Sequence, residues 1–183
     1  MVETNNLSKY DYVVKIVMIG NAGSGKTSLF WRYKHNSFEE EFPWPMPEFY
    51  PKVFPMEDGK RFKMMMWDTA NVERFKGCKM MPSFWRNSVG AIVVFDLSNF
   101  ESFRSVGDWL KELKENCKAT AAIYLVGNQS DCDKRAVKRE EVEKYAASHG
   151  LRYFETSAKT GENVTELFES CASDIYKVLK DTN

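Results

Sequence analysis

The chain alternates between short apolar runs and segments in which apolar residues recur every three or four positions. The apolar runs predict strands, at 13–19, 61–67, 91–95, 121–126 and 152–154. The periodic segments predict helices, at 26–33, 101–115, 139–149 and 164–179. Strands that alternate with helices form a mainly parallel sheet covered on both faces. The pattern therefore predicts an α/β fold with three layers, helix on sheet on helix.

Short polar signals add a turn and two helix starts to this outline. Asp58-Gly59 lies between two apolar stretches and predicts a hairpin, which would place one antiparallel strand at the sheet edge. Ser98-Asn99 and Glu162-Asn163 are suited to begin the helices that follow them.

Residues 39–51 are unusual because prolines stand at positions 43, 45, 47 and 51. Prolines remove backbone donors and favour extended geometry, so a stiff surface loop is expected. Two interpretations stay open. The segment is a recognition surface, because its aromatic and methionine side chains are costly to expose, or it is a spacer whose aromatic rings fold back on the domain. These side chains are Phe42, Trp44, Met46, Phe49 and Tyr50.

The composition bounds the organisation of the protein. A chain of 183 residues with 43% hydrophobic and 14% aromatic residues suits one domain with one core. We expect an N-terminal extension at 1–11, a single domain at 12–180 and a short tail at 181–183. Lys plus Arg and Asp plus Glu number 26 each, so charge gives no reason to expect a nucleic acid partner.

The sequence shows no signal for secretion or membrane insertion. The N-terminus lacks the basic and apolar regions of a signal peptide, and no apolar run is long enough to span a bilayer. Four cysteines lie far apart, which predicts reduced thiols. No cysteine stands among the last four residues, so a lipid anchor is not visible and the chain is either not lipidated there or a fragment. We expect a cytoplasmic protein, peripheral on membranes only through a partner or a further C-terminal segment.

One motif carries clear chemistry: Gly20-Asn21-Ala22-Gly23-Ser24-Gly25-Lys26-Thr27, between a predicted strand and a predicted helix. This G-x-x-x-x-G-K-T spacing is typical of a phosphate-binding loop, and its context favours that interpretation strongly over an ordinary glycine turn. The glycines let backbone N–H groups point at phosphates, and the helix N-terminus adds positive potential. Lys26 supplies a charge, and Thr27 offers a hydroxyl to Mg²⁺.

Three later motifs follow predicted strands, where a parallel sheet gathers its ligand-binding residues. They are Trp67-Asp68-Thr69-Ala70, Asn128-Gln129-Ser130-Asp131 and Glu155-Thr156-Ser157-Ala158-Lys159. Asp68 can hold a Mg²⁺-bound water. The Asp131 carboxylate can accept hydrogen bonds from the N1–H and the exocyclic amine of guanine, whereas adenine presents the opposite pattern at that edge. The motifs predict a nucleotide pocket that prefers guanine.

In this order the motifs resemble those of the Ras superfamily of small GTPases, and of its Rab branch most closely. The resemblance also rests on Glu73-Arg74-Phe75, Phe84-Trp85-Arg86, Glu101-Ser102-Phe103 and Trp109-Leu110. It implies a P-loop NTPase small G domain with a six-stranded, mostly parallel sheet, one antiparallel edge strand and five helices. It also implies GTP or GDP with Mg²⁺ as ligands, and two switch segments that read the γ-phosphate.

The resemblance further implies which residues bind each part of the nucleotide. Phosphate binding falls to Asn21, Ala22, Gly23, Ser24, Gly25, Lys26, Thr27 and Ser28, and Mg²⁺ binding to Thr27 and Asp68. Base binding falls to Phe38, Asn128, Gln129, Asp131, Ser157, Ala158 and Lys159. Phe38 would stack on the guanine edge, and Ala158 would present its backbone N–H to the base oxygen. Protein effectors or regulators would bind the segments from Phe42 to Tyr50 and from Asn71 to Phe75.

Four positions depart from the family pattern. The first-switch threonine, which closes over Mg²⁺ and the γ-phosphate, is Pro45, and no serine or threonine stands within 39–67. The second-switch glycine and water-orienting glutamine are Asn71 and Val72. Valine has no polar atom with which to position water, so no catalytic residue is assigned. The lysine that covers the base is Gln129, which is shorter and uncharged, so nucleotide affinity should fall.

These departures leave two functions open. The first is a Rab-like guanine-nucleotide-binding protein of the vesicle-trafficking type with very slow or absent GTP hydrolysis. The second is a pseudo-GTPase interaction module that holds a structural nucleotide and can be one G domain of a longer chain. The intact Lys26, Thr27 and Asp68 favour the first. A P-loop kinase that handles adenylates is a remote third, because Asp131 disfavours adenine.

Overall fold

The computed structural model of the protein describes residues 10–42, 49–69, 86–117 and 122–182. Within these ranges the strands are β1 (Tyr12–Ile19), β2 (Phe49–Pro55), β3 (Arg61–Asp68), β4 (Ser88–Asp96), β5 (Ala122–Asn128) and β6 (Arg152–Glu155). The helices are α1 (Lys26–His35), α2 (Phe100–Arg104), α3 (Val106–Asn116), α4 (Arg139–His149) and α5 (Val164–Thr182).

One six-stranded sheet runs in the order β2-β3-β1-β4-β5-β6. β2 and β3 are antiparallel, and every other neighbouring pair is parallel. The predicted sheet is confirmed, with its antiparallel edge strand and the hairpin turn at Asp58-Gly59. Because the parallel strands run in one direction, their carboxyl ends meet along one edge of the sheet, where the loops of the predicted pocket begin.

Two apolar clusters cover the two faces of this sheet. One packs Leu29 of α1 and Phe168 of α5 against one face, to which Ile16 of β1 also contributes. The other packs α2, α3 and α4, including Trp109, against the opposite face beside Val17. A strand that is buried on both faces has a continuous apolar sequence, as β1 does. The prediction of three layers is confirmed.

The helices differ from their predicted bounds in two ways. α1 and α5 end two and three residues later than the pattern indicated, at His35 and Thr182. The helix predicted at 101–115 is broken at Ser105, whose hydroxyl donates to Glu101 O at 3.0 Å. Its predicted start is confirmed, because the Asn99 side chain accepts from the backbone N–H groups of the first turn. With the broken helix counted as one, the described ranges contain four helices rather than five, and 70–85 lies outside those ranges.

Prolines stand on the free edge of the outer strand β2. Met56 N–H donates to Lys60 O at 2.9 Å, and hydrogen-bonded pairs alternate along an antiparallel ladder. The backbone N–H and C=O groups of the even-numbered residues of β2 therefore point toward β3, and those of the odd-numbered residues point toward the free edge. The odd-numbered residues are Phe49, Pro51, Val53 and Pro55. The two prolines therefore cost no hydrogen bond to β3, and they leave the free edge short of donors for pairing with another chain.

The aromatic residues of the proline-rich segment divide between the two interpretations. Phe42 and Tyr50 are half-buried and pack against rings of α1, as expected of a segment that folds back. Phe49 is 42% exposed and stacks on Trp67 with ring centroids 5.1 Å apart, as expected of a recognition surface. Residues 43–48 lie outside the described ranges.

Candidate functional site

The phosphate-binding loop joins β1 to α1 in a conformation that requires its glycines. Gly20 has φ of 143°, and a Cβ there would lie 2.0 Å from Val94 O. Gly25 has φ of 85°, and a Cβ there would lie 2.1 Å from Asn128 Nδ2. In the described structure no side chain caps the first turn of α1. The N–H groups of that turn are therefore suited to an anion.

Two buried polar groups of the loop fit a phosphate ligand. Lys26 is 4% exposed, and its Nζ donates to Gly20 O and Asn21 O, both at 3.0 Å. Ser24 Oγ is buried without a hydrogen-bond partner among the described residues. Burying an ammonium and an unsatisfied hydroxyl is costly, and an anion in the loop would offset that cost. Lys26 and Ser24 thus give the loop a positive charge and a polar group suited to a phosphate.

The two predicted Mg²⁺ ligands meet across the sheet edge. Thr27 Oγ1 donates to Asp68 Oδ2 at 2.7 Å. Oxygen ligands are the type that Mg²⁺ prefers, and it usually takes one or two protein groups together with phosphates and water. No cluster of three His, Cys, Asp or Glu residues that could hold a metal occurs in the described ranges.

The three switch residues that depart from the family pattern lie outside the described structure. Thr69 is the last described residue after β3, and its Oγ1 donates to Met18 O at 2.6 Å, which anchors this end of the strand to β1. Pro45 of the first switch, and Asn71 and Val72 of the second, lie beyond the described ranges. Their effect on hydrolysis stays a prediction.

Asn128 joins the phosphate loop to the loop after β6. This side chain is 1% exposed, and its Nδ2 donates to Ser24 O at 3.1 Å. Its Oδ1 accepts from Thr156 Oγ1 and from Ala158 N, both at 3.2 Å. One amide therefore fixes the relative position of the two loops that the resemblance assigns to phosphate and base.

The neighbouring base-binding candidates lie at the more exposed end of the same loops. Gln129 Nε2 donates to Gly23 O at 3.3 Å, so the neutral side chain keeps a tie to the phosphate loop where the family has a lysine. Gln129 also has φ of 65°, which turns the chain sharply after β5. Asp131 is exposed, and its Oδ1 accepts from Ser157 Oγ at 2.6 Å. This bond orients the carboxylate that the sequence assigns to guanine.

The other predicted residues occupy the margins of these loops. Phe38 is half-buried and packs against the core cluster that contains Ala158. Ala22 and Lys159 are exposed, and Ser28 is half-buried in the first turn of α1. The contacts of all four residues with a nucleotide stay predictions.

An ion-pair network that the sequence analysis did not identify supports the base loop, which is the loop after β6 at 156–163. Glu155 is 8% exposed, and it accepts from Arg139 Nη2 at 2.6 Å, from Tyr153 OH at 2.6 Å and from both terminal nitrogens of Arg135. Burial alone would raise the pKa of Glu155, but these hydrogen bonds outweigh it and lower the pKa to about 2. Asn163 Nδ2 also donates to Glu155 O at 2.8 Å.

Two hydrogen bonds of the Asn21 side chain, which the sequence analysis also did not identify, connect the phosphate loop to Ser105 and α3. Asn21 Nδ2 donates to Ser105 Oγ at 3.0 Å, and Asn21 Oδ1 accepts from Trp109 Nε1 at 2.8 Å. These bonds tie the loop to the point at which the helix is broken. No local pattern reveals them, because the bonded residues lie 84 and 88 positions apart.

Comparison with known proteins places this geometry in context. A family model described as the Ras family matches residues 15–177. The Ras-related protein Rab-13 of Bos taurus is 39% identical over 168 residues, which cover 91% of this chain and 81% of that protein. The GTP-binding protein ypt3 of Schizosaccharomyces pombe is 36% identical over 174 residues, 94% and 80% of the two chains. The Ras-related protein RABE1e of Arabidopsis thaliana is 35% identical over 179 residues, which cover 96% of this chain and 81% of that protein. Among the described helices of this chain, none is long and apolar enough to cross a membrane.

Proposed function

Because the chain belongs to the Ras family of small GTPases and has Rab proteins among its relatives, we propose that it binds GTP or GDP together with Mg²⁺. The observation that carries this proposal is the Asn128 amide, which bonds the phosphate loop at Ser24 O and the base loop at Ala158 N. A phosphate loop alone would serve many nucleotides. Two loops fixed to each other suit a ligand that spans both.

On the phosphate side, Lys26 and the N–H groups at the start of α1 would hold the phosphates. Thr27 and Asp68 would hold Mg²⁺, which when bound neutralises the charge of the β- and γ-phosphate oxygens. The hydrogen bond between these two side chains supports the assignment, because it brings both oxygen ligands together before the cation binds.

On the base side, Asp131 would read guanine, and Ser157 orients its carboxylate. Gln129 would cover the base less fully than a lysine does. Its bond to Gly23 O supports a smaller loss of affinity than the missing charge alone implies. The preference for guanine over adenine therefore rests on Asp131, and the residence time of the nucleotide rests in part on Gln129.

We further propose that GTP is hydrolysed very slowly or not at all. An in-line attack needs an oriented water, and neither Pro45 nor Val72 carries a group that can orient one. Ras alone hydrolyses GTP at a rate on the order of 10⁻⁴ s⁻¹ with its glutamine present. We expect a lower rate here.

The partners proposed for this chain are protein effectors or regulators, in signalling of the vesicle-trafficking type. The support is the stack of Phe49, which is 42% exposed, on the half-buried Trp67, beside which Lys15 Nζ lies 4.5 Å from the Trp67 ring centroid. An exposed phenylalanine ring is costly in water, and a ring stack with an adjacent cation is suited to a protein partner. Phe49 belongs to the segment from Phe42 to Tyr50 that the sequence assigned to partners.

A second candidate function is the pseudo-GTPase interaction module. It is favoured because Pro45, Asn71 and Val72 together replace the usual switch residues of the family. A ligand shifts a conformation only through contacts that differ between two states, and these positions normally supply the contacts to the γ-phosphate. Equal affinity for GDP and a nonhydrolysable GTP analogue, with unchanged proteolysis of the switch loops, would favour this module. A strong preference or a clear rearrangement would favour a switch.

The proposed binding function is tested by changing the base that Asp131 is expected to read. Asp131→Asn replaces an acceptor by an amide donor, so affinity for GDP should fall at least 100-fold and affinity for xanthosine diphosphate should rise. Asp133→Asn is the matched control, because Asp133 is exposed two residues further along the same loop. Isothermal titration with both nucleotides gives the two affinities.

Three results would contradict the proposal. They are a wild-type protein that binds no guanine nucleotide, equal binding of ATP and GTP, and an Asp131→Asn variant that keeps the affinity of the wild type for GDP.

A further inference from the structure

Arg32 connects the base loop to residues 36–42, the first-switch segment, which precedes Pro45 in the sequence. Its Nε donates to Ala158 O at 2.7 Å, and its Nη2 donates to Lys159 O at 2.5 Å. Its Nη1 donates to Asn36 O at 2.9 Å. A planar guanidinium with three engaged donors fixes the relative orientation of the groups that it contacts, and a cation at a helix C-terminus is favoured by the helix dipole.

Asn36 is the C-cap of α1, directly after the last helical residue His35, and it is the first residue of the first-switch segment. It has φ of 52°, in the left-handed region that asparagine tolerates, and its N–H donates to Arg32 O at 2.8 Å. Arg32 therefore both accepts from and donates to the Asn36 backbone. The pair of bonds sets the direction in which residues 37–42 leave the helix.

The neighbouring residue, Trp31, holds that segment against α1. Its Nε1 donates to Ser37 Oγ at 3.1 Å, and its ring lies 5.7 Å from the Phe42 ring. The Trp31 ring also stacks on His35, with centroids 4.0 Å apart. The last turn of α1 thus contacts both the beginning and the end of the described part of this segment.

On its other side, Arg32 supports the buried part of the base loop. Ala158 is 4% exposed, its carbonyl accepts from Arg32 and its N–H donates to Asn128 Oδ1. Phe38 of the first-switch segment packs against the same core cluster as Ala158. Arg32 thus contacts both the base loop and Asn36, and Phe38 packs on the core cluster to which Ala158 belongs.

We propose that Arg32 is a positioning residue through which an occupied base pocket orders residues 36–42, so that this segment reports whether a nucleotide is bound rather than whether it carries a γ-phosphate. The inference rests on the proposed function, binding of guanine nucleotide. The groups that usually couple the switches to the γ-phosphate are replaced at Pro45, Asn71 and Val72, whereas the coupling through Arg32 is built from intact contacts. A partner that binds residues 36–42 would distinguish the nucleotide-bound protein from the empty one, and it would have the same affinity for the GDP and GTP forms.

Hydrogen–deuterium exchange of the full chain tests this coupling in three states: empty after chelation of Mg²⁺, saturated with GDP, and saturated with a nonhydrolysable GTP analogue. In the wild type we expect residues 36–42 to exchange at least tenfold more slowly with either nucleotide than in the empty protein. The two nucleotides should protect this segment equally. Protection of 20–27 serves as the internal report that nucleotide is bound.

Two variants separate positioning from folding. In Arg32→Ala, GDP should dissociate about tenfold faster, and at saturating GDP residues 20–27 should stay protected while 36–42 lose their protection. Arg32→Lys, which retains the charge and part of the donor set, should recover part of both effects. Trp31→Phe keeps an aromatic ring and removes the bond to Ser37, so it should loosen 36–42 and speed GDP dissociation less than Arg32→Ala does, because Arg32 still holds the base loop. Arg104→Ala is the control, because Arg104 is exposed and pairs with Glu101 on its own helix.

The outcomes distinguish this inference from the proposed function. If the wild type binds no guanine nucleotide, both fail. If GDP protects 20–27 but not 36–42, or if Arg32→Ala protects 36–42 as well as the wild type does, binding stands and the coupling through Arg32 is wrong. Stronger protection of 36–42 by the GTP analogue than by GDP would also overturn it, because the segment would then read the γ-phosphate.

Discussion

The ion-pair network at Glu155 predicts a measurable, pH-dependent share of the stability of the fold. Its carboxylate is buried, and its pKa falls from an ordinary value of 4.5 to about 2 because Arg135, Tyr153 and Arg139 donate to it. A difference of this size corresponds to about 3 kcal/mol in favour of the folded state when the carboxylate is ionised. Because the folded pKa is the lower one, this contribution is complete above about pH 4.5 and is lost as the pH falls through 2.

Glu155→Gln tests this magnitude because it keeps the shape of the side chain and removes its charge. The two arginine side chains are 34% and 60% exposed, so water can solvate them in the variant. We therefore expect the free energy of unfolding to fall by about 2–3 kcal/mol at pH 7. The difference from the wild type should shrink by about 1 kcal/mol at pH 3.5, where the unfolded glutamate is largely protonated.

Urea denaturation followed by circular dichroism, at both pH values and at one ionic strength, gives these differences. Glu101→Gln is the matched control, because Glu101 pairs with Arg104 on the surface, where side chains are 72% and 65% exposed, and little change is expected. A Glu155→Gln variant that loses less than about 1 kcal/mol, with no dependence on pH, would refute the assignment of this stability to the network.

The remaining predictions concern the nucleotide site and the sheet edge. Gln129→Leu removes one hydrogen bond to the phosphate loop, so GDP should dissociate about fivefold faster. Release of a fluorescent GDP measures this rate, and an unchanged rate would show that the bond is unimportant for nucleotide retention. Thr27→Ala should raise the Mg²⁺ concentration needed to retain GDP by about tenfold in a magnesium titration, and no shift would argue against its role as a ligand. Replacing Pro51 and Pro55 by threonine restores two donors to the free edge of β2, so light scattering should detect more dimer than in the wild type; an equally monomeric variant would show that the prolines do not protect this edge.

The fold was predictable where burial alone determines the sequence pattern. β1 is covered on both faces, so its apolar run is continuous, and the hairpin at Asp58-Gly59 has a local signal. The break at Ser105 has no such signal. It coincides with a contact to Asn21 that depends on the folded sheet, and residues 101–115 read as one uninterrupted helix without it.

The candidate site likewise contains residues that the sequence predicts and residues that only the structure reveals. The phosphate loop is predictable because its chemistry is contained in eight consecutive residues. Arg32 was not predictable, because the carbonyl groups it contacts are 126 and 127 positions away, and an arginine on a helix usually faces solvent. The sequence likewise predicts that Gln129 weakens the site, whereas only the structure reveals its bond to Gly23 O.

The measurement that tests the central claim most directly is a single-turnover hydrolysis assay on purified protein loaded with GTP and Mg²⁺, with bound GTP and GDP separated by chromatography over time. We predict that GTP binds and remains bound, and that it converts to GDP more slowly than the rate on the order of 10⁻⁴ s⁻¹ of Ras alone. Failure to retain GTP would contradict the binding function. Conversion at or above that rate would contradict the conclusion that Pro45 and Val72 have removed the groups that orient the attacking water.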